Sequence, residues 1–312
     1  MLPAEFSRGG FARNTGFLRN FVLMSRMKVW IEAMRLRTLP VSVAGVLMAA
    51  GYALADGTFR AAPAGLCLVF AVLCQIASNF ANEYYDYRDG RDCAGREGPR
   101  RGVTEGDITP RQMKMATFGT LAVAAMVGLS LTWWGGLWLI AIGLIIGLGA
   151  LAYSTGPYPL STHCLGEVAV VFFFGIIPVC FTYYVQALAW SWPVFAGSVA
   201  LGLMGANVLV INNYRDIPDD IAVGKHTLAT RFGRRAMVVL YLLNAIIALN
   251  LTLLQWLGKS PAWLLVPFAY LAASIAIVVA MSRRSGRALT PLLGATSVAM
   301  FVYALGFILS NL

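Results

Sequence analysis

Histidine occurs only twice in these 312 residues, at His163 and His226, and cysteine five times with no CxxC pair. Two histidines are too few to ligate haem or zinc on their own. Unpaired thiols predict neither a disulfide framework nor a thiolate metal centre. Cys67, Cys74 and Cys180 fall inside apolar runs, where a thiol behaves as a small hydrophobe; Cys93 and Cys164 complete the set. Charge is scarce as well. Asp, Glu, Lys and Arg make up 12% of the chain against 59% apolar residues, and the mean hydropathy is +0.71. That deficit excludes an ordinary soluble domain, in which about a quarter of residues are charged.

Long apolar runs take the place of charge. Nine of them, at about 38–56, 64–82, 115–134, 136–153, 165–185, 191–212, 236–256, 262–282 and 291–311, approach the roughly 20 residues that span a bilayer core. They are too long and too evenly apolar for barrel strands, so helices are the remaining way to satisfy the backbone in lipid. A buried helical core is no alternative, because nine such runs leave no surface to cover them. The sequence predicts an all-α, polytopic membrane protein.

The formal net charge is +10, but its placement argues against nucleic acid as a partner. With the N-terminus inside and nine spans threaded, 22 of the 24 Lys and Arg residues fall on the inner side; only Arg60 and Lys259 lie outside. That is the positive-inside pattern. Thirteen of the 14 acidic residues share the same side, Asp56 being the exception, and positive-inside bias does not account for that. The cytoplasmic face therefore has a use for carboxylates.

Residues 1–27 form a basic, mixed segment without a clean apolar core and cleavage site, so no signal peptide is expected. The rest, 28–312, reads as one membrane domain, opened by a short amphipathic helix at 28–37. Two connections are long and charged, about 83–114 and 213–235, and four spans separate them, so both emerge on one side. They resemble each other. Asp86 follows Asn82 by four residues, as Asp216 follows Asn212; Arg101 and Arg231 each lie nineteen residues after the respective asparagine. The pattern is an internal repeat with a period of 130, carried by motifs at 79–107 and 212–233. The connection 154–163, rich in Gly, Pro, Ser and Thr, reads as a turn-forming loop.

If the second span continues helically past the apolar core, Asn82, Asp86 and Asp89 share one face, and Asp92 follows a helix-ending Gly90. Asp216 and Asp220 are likewise four apart, with Pro218 between them as a local disturbance. Two carboxylate clusters facing one cavity repel and need cations. Hard oxygen ligands suit Mg²⁺, usually completed by substrate phosphates. The basic residues downstream, Arg100, Arg101, Lys225 and Arg231, suit a polyanion. Carboxylates, Mg²⁺ and bases together make a diphosphate site at the membrane edge. The alternative is a solvated loop with weak surface ion pairs.

The segments WIEAMRLRTLP (30–40), NFANEYYDYRDGRD with GPRRGVTEGDIT (79–109), YSTGPYPLSTHCLGE (153–167), NNYRDIPDDIAVGKHTLATRFG (212–233) and LTPLLGAT (289–296) resemble the UbiA superfamily of intramembrane aromatic prenyltransferases. The likeness is nearest its menaquinone branch, which prenylates 1,4-dihydroxy-2-naphthoate; the ten-residue step from Asn82 to Asp92 suits that branch. The resemblance implies about nine transmembrane helices around a central cavity open to the cytoplasmic side, in the cell inner membrane. It implies a Mg²⁺-dependent transfer of a polyprenyl group from its diphosphate to an aromatic acceptor, with loss of carbon dioxide and diphosphate. By the same resemblance Asn82 stands beside the metal ligands Asp86, Asp92, Asp216 and Asp220; Arg101, Lys225 and Arg231 contact diphosphate; and Asn213 and Arg35 are further substrate contacts. Asp86, Asp216 and Tyr153 are the expected catalytic residues.

An allylic cation needs a dry pocket, and aromatic faces stabilise it; Tyr153, Tyr84 and Tyr85 are candidates, Tyr153 foremost. Arg35 or Arg37 either holds an acceptor carboxylate or anchors the helix on the inner face. Glu167 suits a helix N-terminus. Other acceptors (hydroxybenzoate, homogentisate, haem, chlorophyllide) and a transporter of divalent cations or phosphate esters are the competing readings.

Overall fold

The computed structural model describes residues 27–92 and 100–312. The basic segment 1–26 and Cys93 lie outside the described residues. Among the described residues every regular element is helical. The amphipathic stretch forms helix α1 (27–34), which stops at Arg35; a 3-10 turn, Leu36–Thr38, then leads into α2 (Leu39–Ala55). Pro40 sits in the first turn of α2, where its missing N–H costs nothing. There follow α3 (Ala61–Arg88), α4 (Pro110–Gly135), α5 (Leu139–Ala152), α6 (Gly166–Ala187), α7 (Trp192–Arg215), the short α8 (Ile217–Ala222), α9 (Leu228–Leu257), α10 (Leu265–Arg283) and α11 (Thr290–Leu309).

Eight of the nine expected spans are long and apolar enough to cross a membrane. The exception is the fourth. Helix α5 has only 14 residues, about 21 Å at 1.5 Å per residue, against a hydrocarbon core of about 30 Å. The apolar run at 136–153 is spent partly on the turn at Gly136 and on Tyr153, which caps α5.

Helix α3 packs along α4, and α7 along α9; these are the two most extensive helix pairs, and each Asp-rich block lies between its pair. The internal repeat is thus also a repeat of helix packing. α6 carries a π-helical turn, Val171–Ile176, of the kind that marks functional segments. It lies so close to α7 that a Cβ on Gly175 would stand 2.4 Å from the Ser198 carbonyl, and one on Gly202 2.7 Å from the Val171 carbonyl. The main core joins α2, α7, α9 and α11 around Met48, Leu201, Trp256, Met300 and Tyr303.

Candidate active site

Helix α3 buries a polar stripe, Gln75, Asn79, Glu83 and Asp86, on one face, with Asn82 beside it. Asn82 uses its whole carboxamide. Its Oδ1 accepts from Arg35 Nη2 (2.8 Å) and Arg101 Nη2 (3.1 Å); its Nδ2 donates to Asp86 Oδ2 (3.0 Å) and Ser154 Oγ (3.2 Å). Arg35 reaches this point because its backbone is left-handed, φ 52° and ψ 56°, at the break between α1 and the 3-10 turn. A non-glycine residue pays about 1–3 kcal/mol for such a conformation, and here it turns the guanidinium inward. Arg37 is exposed. Of the two arginines weighed from the sequence, the structure brings Arg35 to the site.

Asp86 is buried, with Arg91 Nε at 3.4 Å and Arg101 Nη2 at 3.8 Å. Arg101 Nε lies 3.2 Å from Asp92 Oδ2. Arg101 Nη1 is buried without a hydrogen-bond partner among the described residues, a donor suited to an anionic oxygen that the fold itself does not supply. Asp89 takes another course. It is half-exposed and pairs with Arg88 (2.7 Å) and Arg91 (2.7 Å), steadying Arg91 against the Ser154 carbonyl (2.7 Å). Arg100 pairs with Asp107 instead of entering the site.

The second block repeats the geometry. Asn212 Nδ2 donates to Asp216 Oδ2 (3.2 Å), as Asn82 does to Asp86. Arg215, fully buried, donates to both Asp216 oxygens (2.7 and 2.9 Å) and to Asn212 Oδ1 (2.9 Å). Pro218 falls in the first turn of α8 and disturbs little, since Asp220 N still bonds to the Asp216 carbonyl (2.8 Å).

A second correspondence is out of step with the first. Gly90 and Gly224 both have φ +68°. Each lets the next residue's N–H return to an aspartate carbonyl, Arg91 to Asp86 and Lys225 to Asp220, both at 2.8 Å. The two basic side chains then lie 3.4 Å from the same aspartates' Oδ1 atoms. Arg91, Arg215 and Ser154 are site residues that sequence reading passed over. The Asp-x-x-x-Gly-Arg/Lys spacing shared by 86–91 and 220–225 was the available signal for the first.

The blocks meet. Lys225 of the second block stands near enough to Asp86 of the first for its charge to act on that carboxyl, as do Asp92, Arg91 and Arg35. Tyr153 sits between the halves: burial pushes its phenol far up, and Glu167, Asp86 and Asp220 all add to that. The loop after Tyr153 is stitched to both sides, Ser154 to Asn82 and Cys164 N to the His226 carbonyl (3.0 Å). Asn213 donates to Glu167 Oε1 (2.9 Å), tying α7 to the first turn of α6. Arg231 is exposed and lines a separate pocket of about 390 Å³ with Lys225 and His226. Tyr84 and Tyr85 stack on each other and do not line the chamber described next.

Below this charged layer lies an apolar chamber of about 600 Å³, walled by α2 to α6, with Tyr153 and Ser78 among its lining and Phe70, Phe173 and Phe174 among its rings. The chain matches the UbiA prenyltransferase family over residues 43–305. The chain belongs to that family. It is 38% identical over 288 residues to the 1,4-dihydroxy-2-naphthoate octaprenyltransferase of Mycobacterium tuberculosis, covering 90% of this chain and 96% of that one. It is 35% identical to the enzyme of the same name from Escherichia coli, over 67% and 70% of the two chains. Among solved structures, the apo UbiA homolog from Aeropyrum pernix superposes with a TM-score of 0.67 at 16% identity, over 91% of this chain and 99% of that one. The Archaeoglobus fulgidus UbiA homolog bound to DMAPP and Mg²⁺ gives 0.62 at 16%, over 90% and 99%. The UbiA fold explains why two blocks 130 residues apart share one mouth.

For a metal the donor chemistry fits. Asp86, Asp92, Asp216 and Asp220 offer hard oxygens beside a buried arginine donor. Among the described residues no three of His, Cys, Asp or Glu stand together closely enough to hold a metal ion by themselves, so phosphate oxygens would have to complete the coordination of any ion these aspartates hold. The repulsion that sequence reading assigned to metal alone is already met in part by Arg35, Arg91, Arg101, Arg215 and Lys225.

Proposed function

We propose that this UbiA-family prenyltransferase moves a polyprenyl group from its diphosphate to 1,4-dihydroxy-2-naphthoate, releasing diphosphate and carbon dioxide and forming demethylmenaquinone, at the cytoplasmic face of the cell membrane. One observation carries the reading: two Asp-rich blocks brought to one charged mouth, where the charge of Lys225 acts on Asp86, above an apolar chamber. The chamber suits the apolar parts of both substrates, the isoprenoid and the acceptor ring, and the charged mouth suits the diphosphate. The names of the relatives supply the acceptor.

Magnesium held by Asp86 and Asp92 on one side and Asp216 and Asp220 on the other would neutralise the charge that develops on the leaving diphosphate. Arg101 and Lys225 donate to that diphosphate and stabilise it most where its charge is largest. The allylic C–O bond breaks, its electron pair leaves with the diphosphate, and the cation remains in a water-poor pocket. Tyr153 offers its ring face to that cation. The electron-rich ring carbon bearing the acceptor carboxylate attacks. The new C–C bond forms, the carboxylate departs as carbon dioxide, and its bonding pair restores the aromatic ring. Arg35, whose guanidinium enters the charged mouth beside Asn82, would hold that carboxylate.

The test is a radiometric assay of purified protein with one prenyl diphosphate and a panel of aromatic acceptors, with and without Mg²⁺, following carbon dioxide. Turnover of naphthoate with carbon dioxide release is expected. Preference for hydroxybenzoate or homogentisate would overturn the acceptor, and ion flux in proteoliposomes without transfer would overturn the enzyme.

A further inference from the structure

The chamber wall is apolar except at a few points, and two of these touch each other. Ser42 of α2 and Gln75 of α3 both line it. Both are buried, and Ser42 Oγ donates to Gln75 Oε1 at 2.9 Å. The amide cannot turn over, because Gln75 Nε2 donates to Thr38 Oγ1 (3.2 Å) and Asn79 Oδ1 (3.4 Å). Thr38 Oγ1 in turn donates to the carbonyl of Arg35 (2.9 Å), the residue whose guanidinium enters the charged mouth. In this arrangement the polar hydrogens of Ser42, Gln75 and Thr38 are all taken up inside the network. What remains is lone pairs, on Ser42 Oγ and on Gln75 Oε1.

We infer that Ser42 and Gln75 form a hydroxyl-reading subsite for the acceptor ring: Ser42 Oγ accepts the O–H on the side of the ring away from the carboxylate held by Arg35, and Gln75 is its positioning residue. This rests on the function proposed above. At this point of the wall an aryl O–H finds a lone pair with the network intact, whereas a quinone carbonyl or an ether obtains a proton only by breaking the Ser42–Gln75 bond and leaving Gln75 Oε1 unpaired. The subsite therefore selects the reduced, dihydroxy oxidation state. The structural alternative is a tie between α2 and α3 with no part in recognition.

The experiment compares three ligands on the purified protein: 1,4-dihydroxy-2-naphthoate, 1-hydroxy-2-naphthoate, and 1-hydroxy-4-methoxy-2-naphthoate, the last two as competitive inhibitors. One lost neutral hydrogen bond with its partner left buried corresponds to about tenfold in affinity. The wild type should bind both analogues about tenfold or more weakly than the dihydroxy acid. Ser42→Ala should raise KM for the dihydroxy acid towards the analogues' inhibition constants and leave KM for prenyl diphosphate alone. Equal binding of all three ligands by the wild type overturns the inference without any variant. So does a Ser42→Ala protein in which all constants move together. Failure of the wild type to prenylate the naphthoate at all overturns the proposed function, and this inference with it; turnover without discrimination overturns this inference only.

Discussion

Lys225, from the second Asp-rich block, holds its Nζ 3.4 Å from Asp220 Oδ1, and its charge also acts on Asp86 of the first block. One ammonium therefore serves carboxylates from both halves of the repeat. Replacing it with methionine keeps the stem and removes the charge. We expect kcat to fall by about 10²–10³, with a smaller change in thermal stability because the side chain is partly exposed. A Lys225→Met protein turning over at the wild-type rate would separate the two blocks functionally.

Asp86→Asn and Asp216→Asn preserve shape and remove one charge each. Both should abolish prenyl transfer while the protein still inserts and purifies as a monodisperse species. Turnover retained in either purified variant would remove the metal-site argument. Asp89→Asn should keep most activity, because Asp89 is a half-exposed partner of Arg88 and Arg91.

Chelation should stop activity, and Mg²⁺ added back should restore it. The assay is the initial rate in EDTA followed by titration with Mg²⁺. An unchanged rate in EDTA counts against the mechanism.

Asn82 holds Arg35, Arg101, Asp86 and Ser154 at once. Hydrogen bonds to charged groups are worth about 1.5–3 kcal/mol each. Asn82→Leu should therefore weaken both substrates, raising KM for diphosphate and acceptor together. A change in one KM alone would show that Asn82 serves a single substrate.

Tyr153→Phe retains the ring and should keep most of kcat; Tyr153→Ala should lose about tenfold, in keeping with a cation–π contribution of about 0.5–2 kcal/mol. Since the phenol is pushed far up by burial, its ionisation should leave no alkaline limb in the kcat profile across the physiological range. Equal losses in both variants would point to the hydroxyl instead of the ring.

Much of the architecture was legible along the chain. Apolar runs of bilayer length and basic residues on alternate connections are local, one-dimensional signals, because a span must satisfy its own backbone in lipid. The spacing of Asn82 and Asp86 pointed to a helix running on past the second apolar run, as α3 does to Arg88; the extension of α7 to Arg215 was not read from the sequence, which ended that span at 212. The fourth run forms a helix shorter than its apolar stretch, because Gly136 and Tyr153 lie outside α5. Arg91 and Arg215 escaped notice for a related reason. In sequence they are two more basic residues on a basic face, and only the turn at Gly90 and the bidentate contact with Asp216 give them their places.

The linear order of residues thus determined that this is a helical membrane protein with paired acidic blocks on one face, because hydropathy, helical periodicity and charge asymmetry act within a few turns of chain. Tertiary structure alone decided which groups come together: Lys225 within electrostatic reach of Asp86, Arg35 on Asn82 through a left-handed backbone, and Tyr153 between the two blocks. Those pairings depend on how distant helices pack, and the small residues that permit the packing, such as Gly175 against Gly202, carry no chemical signature of the site they bring together.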